Sequence, residues 1–410
     1  VKDMDNTLEQ NIYTTNKLKF ILNELKPKGI FTPFNIMSFP IIILGLVIIA
    51  YRFANGIGSV TNLSQDYPWG LWISFDVVTG VAFAGGAYVL VFIVNILNLE
   101  KYKPIARVTV LNGFLAYLFY SAALFLDLGR PFKIINVIIG NDYGVNSVLF
   151  LVGWHFVLYK LALLIEFSPA IAEWLGAKKA RKILSSLTLG AVIFGITLSV
   201  LHQSGLGALF LMAKGKIHPL WYNPYLPLMF VVSSIFAGIS LVIFEGSISQ
   251  KVFSDLMDDN ARHRHHDIMH GLSRVCAGTL FVYLFMMIII FVHQKNWQYL
   301  NSGVGMWYLL EIIGFVLLPL ILFTVSYKKK NIPLIKTASI ITLLGILLNR
   351  MNVSLIGYKW YEAVRYIPSW QEIVVTLTII FIEIWVFRWI VLRMPVLSLS
   401  FNNIRKNNRD

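Results

Sequence analysis

Four side chains able to exchange a proton recur at one depth within otherwise apolar runs: Asp76, Asp127, His155 and His202. Carboxyl and imidazole groups titrate near neutral pH once their surroundings tune them. Ionisable groups inside a bilayer are costly, so each one is a functional candidate by default. The richest stretch is 201–221, LHQSGLGALFLMAKGKIHPLW. It sets His202, Gln203 and Ser204 at the end of an apolar run, followed by a glycine-interrupted segment and then His218, fixed by Pro219. In lipid each such group must find a partner or line a cavity.

Every one of these residues also has a plainer reading. A lone histidine is as readily a packing residue as a ligand. Asp127, three residues before Arg130, reads as a local ion pair bracing a loop. Convergence at one depth is what favours chemistry. A second group lies deeper: Lys160 near mid-membrane, Glu166 and Glu245 towards the far ends of their spans, and Glu383 near the middle of the last span. Such a series would relay protons; the alternative places the glutamates in headgroups or helix caps. Haem held by two histidines is the weaker reading, because only His155 and His202 share a depth and His293 sits at a helix end.

Other patterns are set aside. The tract 255–270, DLMDDNARHRHHDIMH, has metal-ligating types, but its charge reads as a solvated linker with a basic end, and no metal site is predicted. Gly80, Gly85 and Gly86 sit inside an apolar span with no preceding strand, so they are not a phosphate loop. With Ala84 and Ala87 they let helices pack closely or leave a cleft.

These residues must be held by membrane-spanning helices. The 410 residues are 57% hydrophobic and 14% charged, whereas soluble domains carry nearer a quarter charged residues. A span needs roughly 20 apolar residues. Spans are predicted at 36–54, 69–98, 105–126, 147–173, 182–203, 224–250, 271–292, 305–327, 332–349 and 371–393. The fold class is therefore all-α and integral to the membrane, with about ten transmembrane helices. The net charge of +14 does not point to nucleic acid, because the basic residues lie in short loops between apolar runs. Lone Cys276 excludes an internal disulfide and a cysteine-held cluster in this chain.

Loop lysines and arginines set orientation. Lys101, Lys103, Arg107, Lys178, Lys179, Arg181, Lys182 and Lys328 to Lys330 mark one face. The other is sparser and includes Arg52, Arg130, Lys214, Lys216, Arg350 and Arg365. Both termini are expected in the cytoplasm, with a segment 1–33 before the membrane domain 34–395 and a tail 396–410 after it. The outer loops, rich in glycine, proline and aromatic residues, read as a surface for a partner.

The set SQDYPWGLWISFDVVTGVAFAGG, FLDLGRP, VNSVLF, LHQSGLGALF with HPLW, IFEGS, and LNRMNVSLIGY with YIPSWQE resembles the NrfD/PsrC superfamily. Within it, the set is most similar to the HybB-type membrane subunit of periplasm-facing nickel–iron hydrogenases. The resemblance covers about residues 36–395. It implies two four-helix bundles, with the first and last helices peripheral. It also implies a quinone-reactive subunit of the cytoplasmic membrane, without haem or iron–sulfur cluster. Electrons would come from a periplasmic iron–sulfur subunit fed by the hydrogenase large and small subunits. Menaquinone or ubiquinone would be reduced near the outer face of the first bundle. Asp76, Asp127 and His202 fall on matching motif positions. The implied pocket is Asp76, Asp127, His155, His202 and Gln203, with protons handled by His202, His155 and Asp76. The implied inner proton route is Lys160, Glu166, Glu245 and Glu383.

One position departs from the pattern. The hydrogenase subunits carry a glutamate directly after NSVLF, where this chain has Leu151. One turn on stands His155, on the same helix face, as a substitute proton carrier. The alternative is a quinone-independent anchor and proton-path subunit, joining a hydrogenase to a terminal reductase such as a reductive dehalogenase.

Overall fold

The computed structural model describes residues 32–139, 144–253 and 259–397. Most of the expected terminal segments, and part of the 255–270 tract, lie outside the described residues. Ten helices among them are long and apolar enough to cross a membrane. They are α1 (Pro33–Asn55), α2 (Trp72–Asn95), α3 (Glu100–Asp127), α4 (Val148–Trp174), α5 (Lys178–Leu211), α6 (Leu226–Val252), α7 (His265–His293), α8 (Gly303–Lys329), α9 (Ile332–Ile356) and α10 (Trp370–Val391).

Local chemistry starts these helices. Thr32 caps α1 by accepting from Asn35 N at 3.2 Å, and Pro33 takes the first turn, where its missing N–H costs nothing. Ser147, Ser302 and Asn331 cap α4, α8 and α9 in the same way. Ser369 and Glu372 form a reciprocal capping box on α10. Gly56 ends α1 at φ 87°, a conformation that strains other residues.

α2, α3, α4 and α5 pack as one four-helix bundle and α6, α7, α8 and α9 as a second. α1 and α10 pair outside them, with α10 resting on α3. Phe39 stacks on Trp385, and Trp385 Nε1 donates to Ser38 Oγ at 3.0 Å. The bundles join where α2 crosses α6. A Cβ on Gly238 would lie 1.8 Å from Gly86 N, and one on Gly85 2.6 Å from the Ser234 carbonyl oxygen. The glycines of α2 therefore serve close packing of backbones. The face at which α1 starts and α10 ends is called the terminal face below; the opposite one is the loop face.

Three spans contain π-helical turns: Trp72–Thr79 in α2, Ile313–Leu317 in α8 and Asn352–Ile356 in α9. Such turns shift the register of side chains around a helix and recur at functional sites.

The structure corrects four sequence expectations. α5 runs on to Leu211, so His202, Gln203 and the glycines after them lie inside the helix. Gly207 is needed there for close approach, since a Cβ would meet the Pro227 Cα at 2.7 Å. The tract expected as a solvated linker is helical from Asp259, and His265, Ile268 and Met269 are buried. Arg52 and Arg350, counted as loop charges, are buried within the helices. The ion pair expected between Asp127 and Arg130 is not formed among the described residues: Arg130 is exposed, and Arg52 instead donates to the Leu126 carbonyl at 2.9 Å and to that of Leu128.

Candidate functional site

A cavity of about 870 Å³ lies between α2, α3, α6 and α10. Sites for small molecules usually occupy about 300–1,000 Å³. Its walls are mainly apolar, with Phe83, Leu115, Leu241, Val242, Ile380 and Ile384 among them. Near the terminal face it is bounded by Thr32, Phe253 and Arg388. Ile248, Val252 and Ile384 on its border are exposed. It extends along α6 from Phe253 to Gly238, roughly 20 Å at 1.5 Å per residue.

Polar groups are placed within it at set depths. Midway, Asn112 Nδ2 donates to Glu245 Oε2. Glu383 and the Tyr120 hydroxyl also face the cavity and make no hydrogen bond among the described residues. At the deep end is Asp76, 1% exposed, whose Oδ2 accepts from Thr376 Oγ1 at 3.1 Å. The π-helical turn of α2 carries Asp76, and Gly80 gives the Tyr120 ring its place: a Cβ there would lie 2.2 Å from the ring. These carboxyls form a file. Glu245 interacts electrostatically with Glu383, Glu383 with Asp76, and Asp76 with Asp127 near the loop face.

His202 lies elsewhere. It is 1% exposed and packed against Phe156, at 5.3 Å between ring centroids, and Tyr117, at 5.7 Å. Its Nδ1 donates to the Val152 carbonyl at 3.2 Å. That carbonyl only accepts, so Nδ1 carries a proton, and Nε2 has no hydrogen-bond partner among the described residues. Gln203 Nε2 donates to the Val81 carbonyl at 2.7 Å, and its Oε1 is buried without a partner among the described residues. The hydroxyls of Tyr117, Tyr159 and Ser199 are buried together nearby. His155, half-buried on α4, is close enough to His202 to interact electrostatically.

The single pocket expected from the sequence is thus divided. Asp76, Glu245 and Glu383 share the cavity, while His202, Gln203 and His155 form a separate polar cluster inside the first bundle. Asp127 lies near the loop face beside Arg52 and Glu372. Lys160 Nζ donates to Ser121 Oγ at 2.8 Å and lies over the Phe156 ring, away from the cavity. Glu166 faces α5, where a Cβ on Gly195 would lie 3.1 Å from its Oε1, and it acts electrostatically on Tyr159. It therefore belongs with the His202 cluster.

Sequence reading missed a second polar core. In the second bundle the Glu311 carboxylate accepts from Trp221 Nε1 at 2.7 Å, Asn349 Nδ2 at 2.7 Å and Asn352 Nδ2 at 2.6 Å. Arg350 donates to Asn349 Oδ1 at 2.9 Å and to Ser233 Oγ at 2.7 Å, and covers the Phe230 ring. The available signal was an acid and a base inside or at the end of apolar runs. Two π-helical turns border this core.

On the loop face, segments 212–225 and 357–369 are tied together. His218 N donates to the Gly357 carbonyl at 2.8 Å and Lys359 N to that of Lys216 at 2.6 Å. Trp69 Nε1 donates to the Ser354 carbonyl at 2.9 Å, and Trp69 packs on Tyr358. His218 is enclosed by Trp221, Tyr299 and Trp360. Burial, aided by the charge of Arg365, pushes its imidazole down to about 4. Burial also raises the Tyr366 phenol, together with its hydrogen bond to Glu372.

Comparison with known proteins finds relatives along most of the chain. The family model described as "Polysulphide reductase, NrfD" matches residues 59–362. A protein of Nitratidesulfovibrio vulgaris is 41% identical over 372 residues, 90% of this chain and 96% of its own. The probable Ni/Fe-hydrogenase 2 b-type cytochrome subunit of Escherichia coli is 28% identical over 359 residues, 87% of this chain and 91% of its own. The integral membrane subunit of menaquinone reductase from Nitratidesulfovibrio vulgaris is 27% identical over 361 residues, 79% and 82% of the two chains.

Proposed function

This chain belongs to the polysulphide reductase NrfD family, and from that premise we propose that it is the membrane subunit through which a redox complex delivers electrons to a membrane quinone. The observation that carries the reading is the carboxyl file, in which Glu245, Glu383 and Asp76 follow one another through a cavity large enough for a ligand. Reducing a quinone to its quinol consumes two electrons and two protons. Buried carboxyls in a low-dielectric path are suited to supplying the protons. The electrons come from an iron–sulfur partner docked on the aromatic loop face, fed by a nickel–iron hydrogenase. The relatives named as hydrogenase and menaquinone reductase subunits support this assignment.

On this reading the loop face is periplasmic and the terminal face, with both chain termini, is cytoplasmic. Asp76 exchanges a proton at the head of the file, and Asp127 extends it towards the partner. His202, whose Nε2 has no hydrogen-bond partner among the described residues, and His155 provide a second proton store; Gln203 holds α5 against α2. Glu166 and Lys160 serve that histidine branch. Neither haem nor iron–sulfur cluster is assigned to this chain. Protons drawn from the cytoplasm would make turnover electrogenic, at about 2.3 kcal/mol per charge per 100 mV.

A second reading is favoured by the enclosure of His202 together with Leu151 at the family's glutamate position. It is a quinone-independent anchor between a hydrogenase and a terminal reductase.

One experiment separates them. The complex purified with its redox partner is assayed with a menaquinone analogue and with an artificial dye that accepts electrons from the partner directly. Asp76→Asn is expected to lower quinone reduction at least tenfold and leave dye reduction intact. Unchanged quinone reduction in Asp76→Asn would remove Asp76 from the site; no quinone reduction by the parent complex would favour the anchor.

A further inference from the structure

Lys160 stands on the flank of α4 that faces α3, and its side chain leans back towards the loop face, as helical side chains do. The ammonium lies 4.7 Å from the centre of the Phe156 ring and donates to Ser121 Oγ on α3 at 2.8 Å. Phe156 is roughly 12 Å along α4 from Val148, at 1.5 Å per residue. That level is below the headgroups of a bilayer whose hydrocarbon core is about 30 Å thick. An ammonium carries three donors, and Ser121 accepts one of them. Ser121 brings no countercharge, and its own hydroxyl donates to the Tyr117 carbonyl at 2.6 Å. The ion pairs among the described residues join Glu173 to Arg107 and Arg181, and Asp66 to Lys359; none reaches Lys160.

The surroundings of this cation are open on one side. Lys160 is half-buried. Leu161 beside it is 50% exposed, and Leu118, one turn from Ser121, is 45% exposed. Phe125, one turn on from Ser121 towards the loop face, carries the surface upward, and Phe132 packs edge-on against its ring. Phe132 is 83% exposed. We propose that this α3–α4 face docks a membrane-spanning helix of another subunit, with a carboxylate of that helix set against Lys160 and its loop-face end covering Phe132.

Charge selects the occupant. Lipid tails cover apolar side chains but offer no acceptor, and a charge left without a partner in hydrocarbon is costly. A headgroup phosphate would have to sink beneath its own layer to reach the ammonium. A second copy of this chain packed through the same face would bring a second Lys160 into the interface, a cation in place of an acid. A helix bearing one acid supplies the countercharge, accepts the donors that Ser121 leaves free, and lays its apolar side chains over Leu118 and Leu161. This contact does not depend on the quinone-linked reading, because cross-linking, not turnover, reports it.

The test places a photoreactive amino acid at Leu118 or Leu161 in the intact membrane complex and identifies the cross-linked peptide by mass spectrometry. The expected product joins this chain to an apolar span of another subunit that contains an aspartate or glutamate. Lys160→Met keeps the side-chain length and removes the charge; it is expected to lower the cross-link at least fivefold, whereas Lys160→Arg keeps most of it. Exchanging the charges, with Lys160→Glu here and lysine for the acid of the cross-linked span, should restore the product that either change alone removes. The unfolding temperature of each variant separates loss of docking from loss of fold. Cross-links to lipid alone, or to a second copy of this chain, overturn the proposal. So does an unchanged yield in Lys160→Met, or a cross-linked span with no acid in it.

Discussion

Thr376 on α10 donates a hydrogen bond to Asp76 on α2 across 3.1 Å. A peripheral helix thereby supplies the one side-chain donor, among the described residues, to the deepest carboxyl of the cavity. α10 is itself fixed at the loop face, where Trp72 Nε1 donates to the Glu372 carbonyl at 3.1 Å and Asn62 N to its Oε2 at 3.2 Å. The position of Asp76 therefore depends on α10 as well as on the π-helical turn that carries it.

Thr376→Val keeps the shape and removes this donor. Losing a hydrogen bond to a buried acceptor costs about 1–3 kcal/mol. We predict a lower unfolding temperature in detergent and a severalfold fall in quinone reduction, with dye reduction unchanged. Equal quinone reduction in the variant would show that the bond does not position Asp76.

Gly238→Ala tests how the bundles join. A methyl group would lie 1.8 Å from Gly86 N, so α2 and α6 must separate. Overpacking of this kind costs about 1–3 kcal/mol. The predicted result is a lower unfolding temperature and increased protease sensitivity. Gly278→Ala in α7, where nothing lies within 4 Å of the added carbon, is the control and should be silent.

Glu311→Gln tests the second polar core. The carboxylate accepts three donors, and a glutamine places an N–H against at least one of them. Removing one partner of a buried charged network costs about 3–5 kcal/mol. Hydrogen exchange should rise in segment 212–225, because a neutral amide oxygen holds Trp221 Nε1 less strongly than the carboxylate does. A protected loop in Glu311→Gln would mean that the core does not hold the loop face.

Acid should loosen the same loop. His218 titrates at about 4 in the folded chain against an ordinary value of 6.5. The unfolded or opened state therefore binds the proton first, and the stabilising effect of neutral His218 is complete above pH 6.5. It falls as pH drops from 6.5 towards 4, by at most about 1.4 kcal/mol per pH unit. The exchange protection factors of residues 212–225, corrected for the intrinsic rate at each pH, should fall between pH 6.5 and pH 5, and His218→Gln should abolish that dependence. Exchange without such a step would contradict the assignment.

Much of the fold could be read from the sequence because lipid leaves the backbone few choices. Ten apolar runs gave the ten helices, and depth counted along them found Asp76 and His202 within spans. Depth alone does not give the direction in which a side chain points. The π-helical turn aims Asp76 between α3 and α10, whereas His202 faces Phe156 and Tyr117 inside its own bundle. One level of the membrane therefore holds two sites. Arg350 was missed because a basic residue at the end of an apolar run looks like a loop charge. Only the packed structure shows it buried beside Ser233 and Asn349. The cavity depends on helices far apart in the chain, and its volume follows from their spacing, which no local pattern encodes.

The most direct measurement is donor-driven quinone reduction by the complex with and without this chain. The account predicts that the full complex reduces a long-chain menaquinone, and that the complex lacking this subunit reduces only the artificial dye. Quinone reduction of equal rate without the subunit would contradict the account.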